Sequence, residues 1–178
     1  MKRLAIGIVG AAVLAGCASE QAALAPPLPG APAAVADVRS AAGQGRARAV
    51  ATQIGDSISV RIDAENMARG SYGAHIHTTG RCDPPGFGSA GPHWNPTGQQ
   101  HGKNNPAGMH KGDLPNLMIG ADGRGTLEMT TPGAWVAGGA APMLDADGAA
   151  VVIHQGPDDY RTDPSGNSGA RIACGVFR

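Results

Sequence analysis

The sequence predicts an all-β fold, an antiparallel barrel or sandwich whose strands are interrupted by two long functional loops. Three observations carry that prediction. With 28 glycines and 14 prolines in 178 residues, turns are favoured and long helices disfavoured. Short apolar runs alternate at period two between turn signals, as half-buried strands do. No segment carries a convincing helical period, and repeated short strands without helices suit closed or sandwiched antiparallel sheets. Apolar residues make up 42% of the chain and aromatics 3%, enough for a core but one built from Val, Ile, Leu and Ala. A core so thin in large side chains often needs a staple such as a metal or a disulfide.

The elements follow in chain order. Residues 1–17 (MKRLAIGIVGAAVLAGC) set Lys2 and Arg3 before an apolar run over 4–15 and end on Gly16-Cys17. A charged start, a short apolar stretch and a small-residue processing site make a secretory signal; the run is short for a membrane span. Leu14-Ala15-Gly16-Cys17 resembles the bacterial lipoprotein box, in which the cysteine is lipidated after cleavage. The expectation is a chain anchored to the bacterial cell envelope through Cys17, facing the periplasm. Ala18, where inner-membrane retention often has an acidic residue, leans the anchor toward the outer membrane. Residues 18–32 are Ala/Pro-rich and read as a semi-extended tether, which leaves 33–178 as the folded domain. Strands are expected over 34–40, 47–54, 57–63, 74–78, 117–121, 126–130, 150–154 and 171–177. In the third of these Ile58, Val60 and Ile62 point inward. Gly55-Asp56 and Asp122-Gly123 mark hairpin turns. Residues 79–115 and 155–170 are too long for turns, and long loops in a compact domain are usually functional.

Charge and cysteine content narrow the function further. The chain carries 14 basic and 14 acidic residues; losing Lys2 and Arg3 with the signal leaves 12 against 14, net −2. Nothing here is a basic footprint for nucleic acid. With Cys17 assigned to lipid, Cys82 and Cys174 remain, either bridged in an oxidising compartment or buried as free thiols.

The chemistry sits in the histidines. All six lie between positions 75 and 154. His75 and His77 are two apart on an expected strand, so both face one side of it. His93, His101 and His110 follow in the first long loop, Asp113 comes three residues after His110, and His154 ends a strand. Imidazole nitrogen suits zinc and copper, with carboxylate as a harder ligand. Six histidines and one aspartate supply seven ligands, whereas two four-coordinate ions need eight positions. The count closes if one histidine bridges both ions through its two ring nitrogens.

Five motifs carry a resemblance: Gly73-Ala-His-Ile-His77, Gly91-Pro-His-Trp-Asn-Pro-Thr-Gly98, His101-Gly102, His110-Lys-Gly-Asp113-Leu-Pro-Asn116 and Gly166-Asn-Ser-Gly-Ala-Arg-Ile-Ala-Cys-Gly175. Over about 34–177 the chain resembles copper/zinc superoxide dismutase, most of all the bacterial envelope branch. The resemblance implies an eight-stranded antiparallel Greek-key barrel, of the sandwich type to which this family belongs. It implies that His75, His77, His93 and His154 hold one copper ion, and that His93, His101, His110 and Asp113 hold one zinc ion, with His93 shared. Asp158 matches a carboxylate that links a copper ligand, His75, to a zinc ligand, His101. Cys82 and Cys174 match the family disulfide, and Arg171 matches the arginine beside the copper channel.

The implied activity is disproportionation of superoxide to dioxygen and hydrogen peroxide. Copper alternates between oxidation states, zinc tunes the bridging His93, and Arg171 draws in the anion. The subunit is expected as a monomer or homodimer. Three features depart from many members of the family. Pro84-Pro85-Gly86 stiffens an insertion before His93. The second loop is acidic (Asp158, Asp159, Asp163), with Lys103, Lys111 and Arg161 as the nearby cations. Trp94, next to a ligand, either covers the site or forms a subunit contact. Two other functions compete. A metal-delivery module would need only the ligands, without Arg171. A zinc hydrolase would need an open coordination position, which four protein ligands fill.

Overall fold

A computed structural model describes residues 30–178; the signal segment 1–17 with Cys17, and most of the tether, lie outside the described residues. Nine strands form: β1 (Ala33–Ser40), β2 (Gly45–Ile54), β3 (Ser57–Ala64), β4 (Gly70–Tyr72), β5 (Ala74–His77), β6 (Leu117–Ile119), β7 (Gly125–Pro132), β8 (Ala150–His154) and β9 (Arg171–Val176). Seven make one sheet in the order β5-β8-β9-β1-β2-β3-β7, and β4 pairs with β6 in a second. Every ladder is antiparallel.

Alternation decides which residues enter the core. On β3, Ile58, Val60 and Ile62 are buried. They lie beside Ala49 and Ala51 of β2, and beyond them Ala34, Ala36 and Val38 of β1, on one face of the sheet and in one cluster. Alanine fills four of the five fully buried core positions of those two strands, so the β-branched residues of β3 beside them supply the bulk. The second turn signal resolves differently from a simple hairpin. The chain does reverse at Asp122-Gly123, where the Gly120 N–H donates to the Arg124 carbonyl at 2.8 Å. The ladders, however, run from β6 to β4 and from β7 to β3. The partner of β6 is therefore β4, three half-buried residues with no alternation to announce them.

Strands β5 and β8 carry two different faces. Ala74 and Ile76 of β5, with Val151 and Ile153 of β8, join the main core. Ala150 and Val152 point the other way, into a smaller cluster with Phe87, Ala90, Cys82 and Cys174. The loop 78–92 covers that second face, which is why all five residues of β8 are buried. The Cys82–Cys174 disulfide, with Cα atoms 5.6 Å apart, fastens the loop to β9.

Candidate metal centre

Period two on β5 puts His75 and His77 on the face opposite Ile76, both with no solvent exposure. The open edge of β5 is then closed by loop backbone. The Trp94 N–H donates to the Ile76 carbonyl at 2.8 Å, and the Ile76 N–H to the Gly112 carbonyl at 2.9 Å. These contacts set His77 opposite His93 and His75 opposite Asp113. A Cβ at position 112 would stand 2.4 Å from the Ile76 carbonyl oxygen, so only glycine lets the segment bearing His110 and Asp113 come this close. His154 ends β8, the strand paired with β5. Residues separated by up to 79 positions are thus gathered by one strand edge.

The six histidines and Asp113 fall into two buried sets, His75, His77, His93 and His154, and His93, His101, His110 and Asp113. Within each set the potential ligand atoms lie within 4.8 Å of one another. Ring hydrogen bonds fix the tautomers of the first set. A carbonyl cannot donate, so the Gly91 carbonyl at 2.8 Å from His77 Nδ1 and the Gly169 carbonyl at 3.1 Å from His154 Nδ1 require an N–H there. Each Nε2 is then left with a bare lone pair. His75 donates from Nε2 to Asp158 Oδ2 at 3.0 Å, so its Nδ1 is the bare atom. Among the described residues six buried side-chain nitrogens or oxygens have no hydrogen-bond partner, and five belong to this site: His75 Nδ1, His77 Nε2, His93 Nε2, His154 Nε2 and His101 Nδ1. Orphaned buried polar atoms are costly. Four lone pairs converging in one place are what a copper ion would satisfy.

The second set surrounds one carboxylate oxygen. His93 Nδ1, His101 Nδ1 and His110 Nδ1 lie 2.9, 3.0 and 3.0 Å from Asp113 Oδ1. The other oxygen, Oδ2, accepts the backbone N–H groups of Gly102 at 2.9 Å and His110 at 3.1 Å. His101 donates from Nε2 to Asp158 Oδ1 at 3.0 Å. This leaves its bare Nδ1 facing Asp113 Oδ1, two acceptors that a cation between them would reconcile. Asp158 therefore spans the two sets, one oxygen to each. The residues fit both metals: three nitrogens and a carboxylate for zinc, four nitrogens for copper.

The electrostatics agree. Burial lowers His75 to about 3, His77 to about 2 and His154 to about 4, so all three rings are neutral at neutral pH, the form a metal ligand must take. Burial also lowers His93, against the pull of Asp113. Burial opposes protonation of His101 as well, but the Asp113 and Asp158 carboxylates at its two nitrogens outweigh it and raise it to about 9. In the metal-free chain a proton there does part of the neutralising that a cation would do. Burial would raise Asp113 and Asp158, yet the imidazoles around them hold both well below the usual carboxylate range.

A pocket of about 770 Å³ opens onto His93, His110 and His154, with Trp94, Arg171 and Asp145 in its wall. Arg171, opposite His154 in the β8–β9 register, donates to the Phe87 carbonyl at 2.9 Å and the Gly91 carbonyl at 2.7 Å. Trp94 is buried against the core, which suits a cover of the site. Lys103, Lys111 and Arg161 do not line this pocket. Lys111 is tied to the Pro132 carbonyl at 2.6 Å, and Lys103 sits 4.0 Å over the Tyr160 ring. Sequence reasoning gave no role to the side chains of Asn116 or Tyr160, or to the Gly91 carbonyl. Backbone acceptors and loop contacts have no residue-type signature, so only the fold reveals them.

Comparison with known proteins gives a consistent result. Residues 44–177 match the family model described as copper/zinc superoxide dismutase (SODC). The superoxide dismutase-like protein YojM of Bacillus subtilis (strain 168) is 48% identical over 124 residues, 68% of this chain and 63% of that protein. Superoxide dismutase [Cu-Zn] 1 of Aquifex aeolicus (strain VF5) is 39% identical over 145 residues, 80% of this chain and 86% of the relative. The crystal structure of a superoxide dismutase-like protein from Bacillus subtilis superposes with a TM-score of 0.75 at 40% identity, covering 80% of this chain and 96% of that one.

Proposed function

This chain belongs to the copper/zinc superoxide dismutase family, and from that premise we propose how its own residues disproportionate superoxide to dioxygen and hydrogen peroxide. The observation that carries the reading is His93. Its Nε2 joins the three bare nitrogens of one set, while its Nδ1 faces Asp113 Oδ1 of the other. When bound, copper supplies the one-electron change, oxidising one superoxide and reducing the next, while zinc keeps a single oxidation state. His75, His77, His93 and His154 would hold copper; His93, His101, His110 and Asp113 would hold zinc.

The chain's residues do the rest. Arg171 is the cation in the pocket wall and binds the anionic substrate beside His154. Its two carbonyl contacts hold the guanidinium still, so little freedom is lost when the anion arrives. His93 Nε2 is the atom at which one of the two protons that peroxide needs can be held between the half-reactions and returned to it, the second coming from solvent. Asp158 keeps the lone pair of His75 Nδ1 aimed into its set by accepting the Nε2 proton, the usual task of a carboxylate behind a ligand histidine. Protein loaded with copper and zinc should consume superoxide faster than protein loaded with zinc alone. Equal rates for the two would overturn the proposal.

We propose further that Cys17 carries acyl chains that tether the domain on the periplasmic side of the envelope, with the outer membrane favoured by Ala18. The Cys82–Cys174 bridge supports an oxidising compartment. Palmitate should label the chain and fail to label Cys17→Ala; a labelled variant would refute the anchor.

A further inference from the structure

Tyr160 lies outside both ligand sets, yet it holds an unusual backbone position. Its φ is 62°, the left-handed region that bulky residues seldom occupy. A residue kept there is held by its contacts, and those of Tyr160 reach Asp158 and both ends of the loop that carries His101, His110 and Asp113. Its N–H donates to Asp158 Oδ1 at 2.6 Å, the same oxygen that accepts from His101. Its carbonyl accepts the Asn104 N–H at 2.9 Å. Its phenol oxygen accepts the Asn116 N–H at 2.7 Å, and its ring lies beneath Lys103 Nζ at 4.0 Å. Asn104 follows the ligand His101 and Asn116 follows the ligand Asp113. One side chain therefore spans both ends of the loop that supplies the second ligand set. Asn116 closes the circuit, donating from Nδ2 to the Asp158 carbonyl at 2.9 Å and accepting the Asp158 N–H at 2.8 Å.

We propose that Tyr160 is a positioning residue that latches the 101–116 loop to Asp158, and through Asp158 holds His101 and His75 in register across the two metal sets. Of these two residues only Asp158 touches the imidazoles; Tyr160 fixes where Asp158 stands relative to the loop. The opposite side of that carboxylate is closed as well. A Cβ at Gly166 would stand 1.8 Å from Asp158 Oδ1 and 2.7 Å from His101 Nε2, so backbone packs against the bond and leaves the carboxylate little room to move. The latch thus acts on geometry and carries no proton or electron.

This inference rests on the metal assignment above, and the test separates the two. Copper- and zinc-loaded protein is challenged with a zinc chelator, and zinc release and the visible copper absorption band are followed for the parent, Tyr160→Phe, Tyr160→Leu and Lys103→Met. Tyr160→Phe keeps the ring and loses the phenol acceptor, so zinc release should quicken about fivefold, the worth of one hydrogen bond. Tyr160→Leu also loses the ring beneath Lys103 and should release zinc faster still, with a shifted copper band because His75 is re-aimed. Lys103→Met, an exposed change, should quicken release about twofold and keeps the test open if the leucine variant does not fold. Parent-like zinc release and an unmoved copper band in all folded variants would overturn the latch. Failure of the parent chain to hold zinc at all would instead overturn the metal assignment.

Discussion

Replacing Asp158 by Asn tests the central link of the site without changing its size. The carboxylate accepts from His75 Nε2 and His101 Nε2, both at 3.0 Å, with both rings fully buried. An amide keeps one acceptor and turns the other oxygen into an NH2 group. One imidazole N–H must then face a donor, and no rotation of the amide avoids this. That histidine could escape by moving its proton to Nδ1, but Nδ1 is the bare atom that each ring offers to its metal set. Either route disables one ligand. A hydrogen bond to a charged group is worth about 1.5–3 kcal/mol, which at about 1.4 kcal/mol per decade is roughly 10- to 100-fold in affinity, the range seen when partners behind metal ligands are lost. Competition with chelators of graded strength should show that loss for zinc, copper or both, with secondary structure retained. Dissociation constants for both metals within about twofold of the parent would refute the role assigned to Asp158.

Arg171→Glu should slow turnover of the metal-loaded protein at least about tenfold while metal content stays near that of the parent, measured by stopped-flow superoxide decay and elemental analysis; an unchanged rate would sink the substrate-binding role. The disulfide closes a 92-residue separation, so Cys174→Ser should cost about 4–5 kcal/mol in the chain-entropy model, read by urea unfolding, and a loss under about 1 kcal/mol would contradict it. The metal-free protein should be most stable near about pH 7, where the protons taken up by unfolded histidines just balance the one that folded His101 keeps. Below the ordinary histidine value of 6.5, unfolded chains take up protons that buried His75, His77 and His154 refuse until about 3, 2 and 4, so stability falls by roughly 5 kcal/mol by pH 5. His101, raised to about 9, contributes stability that is full below 6.5 and is lost as pH rises through 9. A flat profile from pH 5 to 9 would refute this balance.

Much of the strand framework was legible because burial writes a period into the sequence. Ile58, Val60 and Ile62 alternate since β3 has one face on the core. The pair His75 and His77 declared itself for the same reason, being on the reverse face of a strand whose Ile76 is in the core. Strand β4 was not legible, because Gly70–Tyr72 is half-buried throughout and pairs with a strand distant in sequence. How the loops pack was also hidden. Lys111 and Lys103, the cations expected near the acidic second loop, are engaged by the Pro132 carbonyl and the Tyr160 ring. Charge alone does not reveal where a long flexible side chain finds its partner.

The Gly91 carbonyl shows why the loop 78–92 belongs to the site although it supplies no candidate ligand. It accepts from His77 Nδ1 at 2.8 Å and from Arg171 Nη2 at 2.7 Å, so one oxygen fixes the tautomer of a proposed copper ligand and the place of the proposed substrate-binding cation. The Phe87 carbonyl, four residues earlier, takes the other arm of Arg171. Cys82 fastens the same loop to β9, and Arg171 begins β9. The disulfide therefore closes a ring of contacts running from β9 through the loop to the guanidinium and back. A module that only carried metal would need His77 held but would have no use for an arginine clamped by two carbonyls in the wall of the pocket. That clamp, rather than the ligands, is the feature that argues for turnover, and it is why removing the bridge should disturb the substrate's approach as well as the fold.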